Sequence, residues 1–113
     1  LISNTGMTPG CLFRTYLEEL GVIHLFDQLT FSDEVLLAKP SPAIFLTTLS
    51  ALGATPEQGV HVGDHLRNDI VGAHDVGIRT VWVEGFDDSE IVVKPTATIQ
   101  RIADLPLALE RMS

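Results

Sequence analysis

The sequence predicts an α/β fold made of βαβ units around a parallel sheet, and three observations carry that reading. Short runs such as Val60 to Val62 and Thr80 to Val83 alternate with helical stretches of roughly 8–12 residues. The run Thr80-Val81-Trp82-Val83 is near-continuously apolar, as parallel strands covered on both faces must be. The same punctuation recurs along the chain: Thr8-Pro9 and Ser41-Pro42 open helices, and Gly21, Gly53 and Gly77 close them.

Taken in order, Leu1-Ile2-Ser3-Asn4 opens as the tail of a strand, from which we expect more chain upstream of Leu1. Thr8-Pro9 starts a helix whose Leu12, Tyr16, Leu17 and Leu20 share one face, and Cys11 within it is expected to be a small buried apolar residue. A short strand follows at Gln28 to Ser32, then a helix from Ala43 to Leu52. Thr55-Pro56 starts a turn before the strand Val60 to Val62. Asn68 to Val76 reads as a helix, Thr80 to Val83 as the next strand and Asp88 to Pro95 as surface loop. A last short strand at Ala97 to Ile102 and a helix near Leu105 to Met112 complete the chain.

Composition narrows the function. The 113 residues suffice for one domain or part of one, with 45% apolar content. No apolar run approaches the roughly 18–20 residues that span a bilayer, and no basic segment with a long apolar core marks a signal peptide. Seven Lys and Arg against 15 Asp and Glu give a net charge of −8, which disfavours a nucleic-acid partner. A small phosphorylated substrate stays compatible, since a bound divalent cation inverts the local field. One cysteine allows no intrachain disulfide and suggests a reducing, cytoplasmic compartment.

Ligands of open parallel sheets gather at the carboxyl ends of the strands, and Ser3, Lys39, Asp64 and Asp69 all follow expected strands. Each alone has a plain structural reading. Ser3-Asn4 suits a turn, Lys39 a solvated loop, and Asp69 a helix N-terminus. Gly63-Asp64 is sharper, because glycine permits a tight turn and an aspartate there has few structural duties. Paired carboxylates at such an edge suit Mg²⁺, which prefers oxygen ligands. The four histidines show no paired metal-ligand spacing. His61, between Val60 and Val62, reads as a satisfied core histidine, and His65 as a residue near the cleft. Trp82 reads as core and Asp87-Asp88 as solvated loop.

Together these residues resemble the carboxyl-terminal half of the haloacid dehalogenase-like (HAD) hydrolase superfamily, from Leu1 to about Glu84 and more loosely from Ala97 to Leu109. Ser3 stands where the second motif has a Ser or Thr. Lys39, in Lys-Pro-Ser-Pro-Ala-Ile-Phe, stands where the third has its lysine, and Gly63-Asp64 with Asp69 where the fourth has its acidic pair. The resemblance implies a Rossmann-like three-layer α/β/α sandwich with a parallel sheet, here partial. It implies a Mg²⁺-dependent phosphohydrolase of a small phosphorylated metabolite, working through an aspartyl-phosphate. Ser3 and the Asn4 backbone would bind the phosphoryl oxygens, and Lys39 would neutralise them. Asp64 and Asp69 would be the metal residues, with Asp69 also orienting Lys39 or assisting metal-bound water.

The family's first motif, Asp-x-Asp on the first strand, has no counterpart here, and neither has the substrate-selecting cap domain. Residues 1–113 alone are therefore expected to be inactive. The alternatives are a HAD-fold remnant acting as a binding or assembly module, a metal-free 2-haloacid dehalogenase, and a receiver-like signalling domain. By resemblance the sheet order is third, second, first, fourth, fifth strand, so the first strand would lie between the one ending at Ser3 and Val60 to Val62. Unpaired edges there recruit partners. We expect re-pairing of those two strands, a homodimer through the exposed edges, or an inserted strand from outside this sequence. An open gap is the least expected arrangement.

Overall fold

The computed structural model describes all 113 residues. Its strands are β1 (Ile2–Ser3), β2 (Thr30–Phe31), β3 (Val60–Gly63), β4 (Arg79–Val83) and β5 (Ala97–Ile99), and its helices are α1 (Gly10–Glu19), α2 (Ser32–Val35), α3 (Pro42–Ala51), α4 (Gly72–His74) and α5 (Leu105–Met112). A π-helical turn, Leu66–Val71, leads into α4. All pairings are parallel: β1 with β2 in one sheet, and β3-β4-β5 in the other.

Strand alternation divides the second sheet into two faces. Val81, Val83 and Ile99 point one way and pack with Val60, Val62 and α5 through Leu105, Ala108 and Met112. Behind the opposite face lies a second cluster of Ile44, Phe45, Ala73 and Ile78, contributed by α3, α4 and the turn before β4. Ile2, from β1, packs on that same cluster, which ties the two sheets together through shared helices. The result is the expected helix/sheet/helix layering.

The first helix departs from expectation. Leu12 is 37%, Tyr16 46% and Leu20 73% exposed, and Cys11 is exposed rather than buried. The covered stripe is Gly10, Phe13, Arg14 and Leu17, which shares only Leu17 with the expected one. Phe13 stacks on Phe31 with centroids 5.7 Å apart, and a Cβ at Gly10 would come within 2.9 Å of Phe31. Thr8 does not cap this helix. The Asp33 carboxylate does so instead, accepting the Gly10 N–H at 3.0 and 3.1 Å. An aspartate at a helix N-terminus both satisfies a free donor and complements the dipole.

The strands β1 and β3 do not re-pair, and the gap between them stays open, the arrangement least expected from the sequence. Between them runs a cavity of about 280 Å³, lined by Leu1, Ile2, Val60, His61 and Val62 along its sides, by Phe45, Thr48 and Leu49 of α3 and by Leu52 just after it. The packing explains why it stays open. Leu1 and Ile2 are held by β2, with the Thr30 N–H bonded to the Leu1 carbonyl at 2.9 Å, and Ile2 is wedged on the Ile44–Phe45 cluster. Closing the gap would pull Ile2 off that cluster and collapse the strands onto the α3 side chains.

Candidate active site

The site forms where β1 and β3 end, and its parts are linked one to the next by hydrogen bonds. Just past Ser3, Asn4 lies beside the loop that precedes α3. The Asn4 carboxamide grips the backbone of Lys39 from both sides: its Oδ1 accepts the Lys39 N–H at 2.8 Å, and its Nδ2 donates to the Lys39 carbonyl at 3.0 Å. The Lys39–Pro40 peptide is cis. From this clamped position the Lys39 Nζ donates to Asp69 Oδ1 at 2.6 Å, in a pair whose side chains are 13% and 4% exposed.

Asp69 sits in the π-helical turn and is buried, with every oxygen engaged. His61 Nε2 reaches Oδ1 at 2.9 Å, and the His65 backbone N–H donates to Oδ2 at 3.1 Å. Burial alone would raise the Asp69 pKa. The hydrogen bonds from His61 and Lys39, with their charges, outweigh it and hold the carboxyl at about 2. Asp69 is therefore an anion across the physiological range. The turn brings it here because the Asp69 and Ile70 N–H groups both return to the His65 carbonyl, a widened loop of backbone often found at functional sites. Room for the carboxylate comes from Gly63, where a Cβ would collide with the Asp69 side chain.

Asp64 follows β3 directly and is exposed. Its backbone oxygen accepts from Trp82 Nε1 at 3.1 Å, which leaves the carboxylate accessible to an oxygen-seeking cation. No three His, Cys, Asp or Glu side chains converge as a metal-binding group, so Asp64 supplies at most one part of a donor set. Asp69, its oxygens occupied by Lys39, His61 and the His65 N–H, is placed to orient the lysine.

The structure thus brings Ser3, Asn4, Lys39, Asp64 and Asp69 to one edge, with the Asn4 side chain, read from sequence only through its backbone, acting as the lysine-loop clamp. His61 does have a satisfied hydrogen bond, but its partner is the site's own carboxylate. The sequence alone does not name that partner, although strand alternation puts His61 and Gly63 on one face. His65 is half-exposed and spends Nδ1 on the Asn68 N–H at 3.1 Å. Trp82 is only half-buried, its indole N–H being drawn to Asp64 at the strand end. Asp87 is not simply solvated. It accepts from Ser89 and from the Leu66 N–H at 2.7 Å, and these bonds lower its pKa to about 2 while capping the π-helical turn.

A larger open cavity of about 630 Å³ lies past the end of β4, lined by Trp82, Glu84, Phe86, Asp87, Asp88 and Gln100. It offers three carboxylates and no cation, so it is a poor seat for phosphate. The Lys39 edge, which carries an ammonium, is the better one.

The parallel-stranded fold thus sets a lysine–aspartate pair and an accessible aspartate at one edge. A family model described as HAD-hydrolase-like matches residues 36–105, and the chain belongs to that family. A glyceraldehyde 3-phosphate phosphatase of Pyrococcus furiosus is 44% identical over 87 residues, covering 75% of this chain and 36% of that protein. A phosphoserine phosphatase of Thermus thermophilus is 40% identical over 73 residues, covering 65% of this chain and 29% of that protein. Among solved structures, a HAD phosphatase from Thermococcus onnurineus superposes with a TM-score of 0.75 at 33% identity, over 86% of this chain and 45% of that one. The chain spans about a third of the length of these curated relatives.

Proposed function

We propose that residues 1–113 form the phosphate- and metal-holding part of a Mg²⁺-dependent phosphohydrolase acting on a small phosphorylated metabolite through an aspartyl-phosphate. The observation that carries this reading is the Lys39–Asp69 pair, clamped at the strand ends beside Ser3 and Asp64. Phosphatase names among the relatives favour a phosphoryl substrate over a halogenated acid.

In this reading Ser3 donates its hydroxyl to a phosphoryl oxygen, and the Asn4 backbone N–H donates to another. Lys39 sets an ammonium against the charge that spreads over the transferring group. Asp69 keeps that ammonium aimed, leaving its remaining protons for substrate. Asp64 would hold Mg²⁺, which when bound supplies charge neutralisation at the phosphoryl oxygens.

The attacking carboxylate is proposed to come from outside this sequence, on an extended strand that enters the cavity between β1 and β3. Such a strand would satisfy two open edges at once and set its carboxyl end level with Ser3 and Asp64. A second copy pairing through the same edges is the competing occupant, giving a homodimer. A cytoplasmic setting fits the lone, exposed thiol of Cys11.

An aryl phosphate assay with Mg²⁺ tests the proposal. Residues 1–113 alone should give no turnover, and adding a synthetic strand peptide that carries Asp-x-Asp should produce turnover that Lys39→Ala abolishes. Turnover by the chain alone, lost in Lys39→Ala, would mean that the nucleophile lies within these residues.

A further inference from the structure

We infer that His61 is a positioning residue: its Nε2–H orients the Asp69 carboxylate, which in turn holds Lys39 where the phosphoryl group is taken. The inference deepens the phosphohydrolase reading and rests on it for the identity of the ligand. The hydrogen bond itself does not.

The direction of the bond follows from what each group can do. Asp69 accepts the Lys39 ammonium on Oδ1 and the His65 N–H on Oδ2, as a carboxylate does, and a carboxylate only accepts, so the proton between it and His61 sits on Nε2. The imidazole is fixed in that pose by three constraints. Its backbone lies in β3, paired to β4 at Thr80; its ring stands edge-on to Phe45 at 5.1 Å and 89°; and its Nε2 meets Oδ1 at 2.9 Å. Oδ1 is the same atom that accepts Lys39, at 2.6 Å. His61 and Lys39 thus converge on one oxygen from two different elements, and the His65 N–H fixes the other oxygen.

A residue serving packing alone would be served at this strand position by an aliphatic side chain, as Val60 and Val62 are on the other face. What histidine adds is a donor of fixed direction. Without it the buried Oδ1 has one partner, the flexible Lys39 ammonium, and only the His65 N–H on Oδ2 still resists turning of the carboxylate about its Cβ–Cγ bond. Lys39 then loses a stationary counterion. The effect should fall on where the lysine points, with the fold intact.

The test compares wild type, His61→Leu and His61→Gln in the 113-residue chain. Gln keeps an N–H near the position of Nε2, and Leu keeps only the bulk. The first readout needs no ligand: the two Hε protons of Lys39, which resolve as a pair when the side chain is held and merge when it is mobile. We expect a resolved pair in wild type and His61→Gln and a merged signal in His61→Leu, with Val81 and Val83 amide shifts unchanged as the check on folding. The second readout is inorganic phosphate binding in the presence of Mg²⁺. It should weaken roughly tenfold in His61→Leu, the effect of one lost hydrogen bond to a charged group, and stay within about twofold in His61→Gln. A resolved pair in His61→Leu, or a His61→Gln protein that behaves like His61→Leu, overturns the inference. Should His61→Leu not fold, the ¹⁵N shifts of the wild-type ring decide. A proton on Nε2 supports the role, and a bare Nε2 overturns it. Wild type that binds no phosphate, yet loses its resolved Lys39 pair in His61→Leu, would sink the phosphohydrolase reading and leave His61 in its positioning role.

Discussion

The side chain of Asn4 holds the backbone of Lys39 through two opposed hydrogen bonds, 2.8 Å to its N–H and 3.0 Å to its carbonyl. These residues lie 35 positions apart, so the clamp joins the end of β1 to the loop before α3. It makes the placement of the lysine depend on a neutral amide that can both donate and accept. Aspartate lacks the donor and alanine lacks both.

Asn4→Ala should therefore loosen the Lys39 loop. Two hydrogen bonds at an exposed site give a loss of about 1–2 kcal/mol in urea unfolding. Asn4→Asp should lose a similar amount, because its carboxylate would face the Lys39 carbonyl. A wild-type midpoint in both variants would mean that the clamp is idle.

Gly63→Ala tests the space set aside for Asp69. A methyl group at this strand end would strike the Asp69 side chain, which is buried and cannot retreat without leaving Lys39 and His61. We expect a loss of about 1–3 kcal/mol, typical of an overfilled site, and a displaced Lys39 signal in NMR. Unchanged stability with an unchanged lysine would show that Asp69 has slack.

The lowered pKa of Asp69 makes stability fall in acid. Its folded value of about 2 lies below the ordinary 3.8, so its contribution is full above pH 4 and is lost as the pH drops toward 2. The size is about 2 kcal/mol. Urea unfolding at pH 5 and pH 2 should show a steeper decline for wild type than for Asp69→Asn, which has no charge to lose. Equal slopes would remove Asp69 from the acid response.

Metal affinity should depend on Asp64. With one accessible carboxylate and no cluster of three ligating side chains, Mg²⁺ should bind weakly, at roughly millimolar concentration. Calorimetric titration of wild type and Asp64→Asn should show that weak heat only in wild type. Equal heats would take Asp64 out of the metal role.

Much of this architecture is legible in the residues. Thr80 to Val83 had to be a covered strand because no polar residue interrupts its apolar run, and Leu105 to Met112 had Pro106 at the start of a helix with an apolar stripe. Ser3 at the end of β1 and Asp64 just after β3 were likewise legible, since each follows such a run, whereas Lys39 lies in the loop after α2 and Asp69 in the π-helical turn rather than at strand ends. Periodicity fails where it must name the covering layer. In α1 it groups Leu12, Tyr16 and Leu20 on one face, yet only tertiary packing decides that Phe13 meets Phe31. The Asn4 clamp and the His61–Asp69 bond were hidden for the same reason. Each is a side chain's choice among partners 8 to 35 residues away, and local patterns do not rank such partners. The cavity between β1 and β3 was misjudged because edge pairing was weighed without the α3 side chains that hold the edges apart.

The central claim is that Ser3, Lys39 and Asp64 form one phosphate- and metal-holding edge. The most direct measurement is amide and side-chain NMR of the chain titrated with inorganic phosphate and Mg²⁺. The account predicts shifts that begin at Ser3, Asn4, Lys39, Asp64 and His65, saturate together, and vanish in Lys39→Ala. Shifts centred instead on the Trp82–Asp87 cavity, or a titration unchanged in Lys39→Ala, would contradict it.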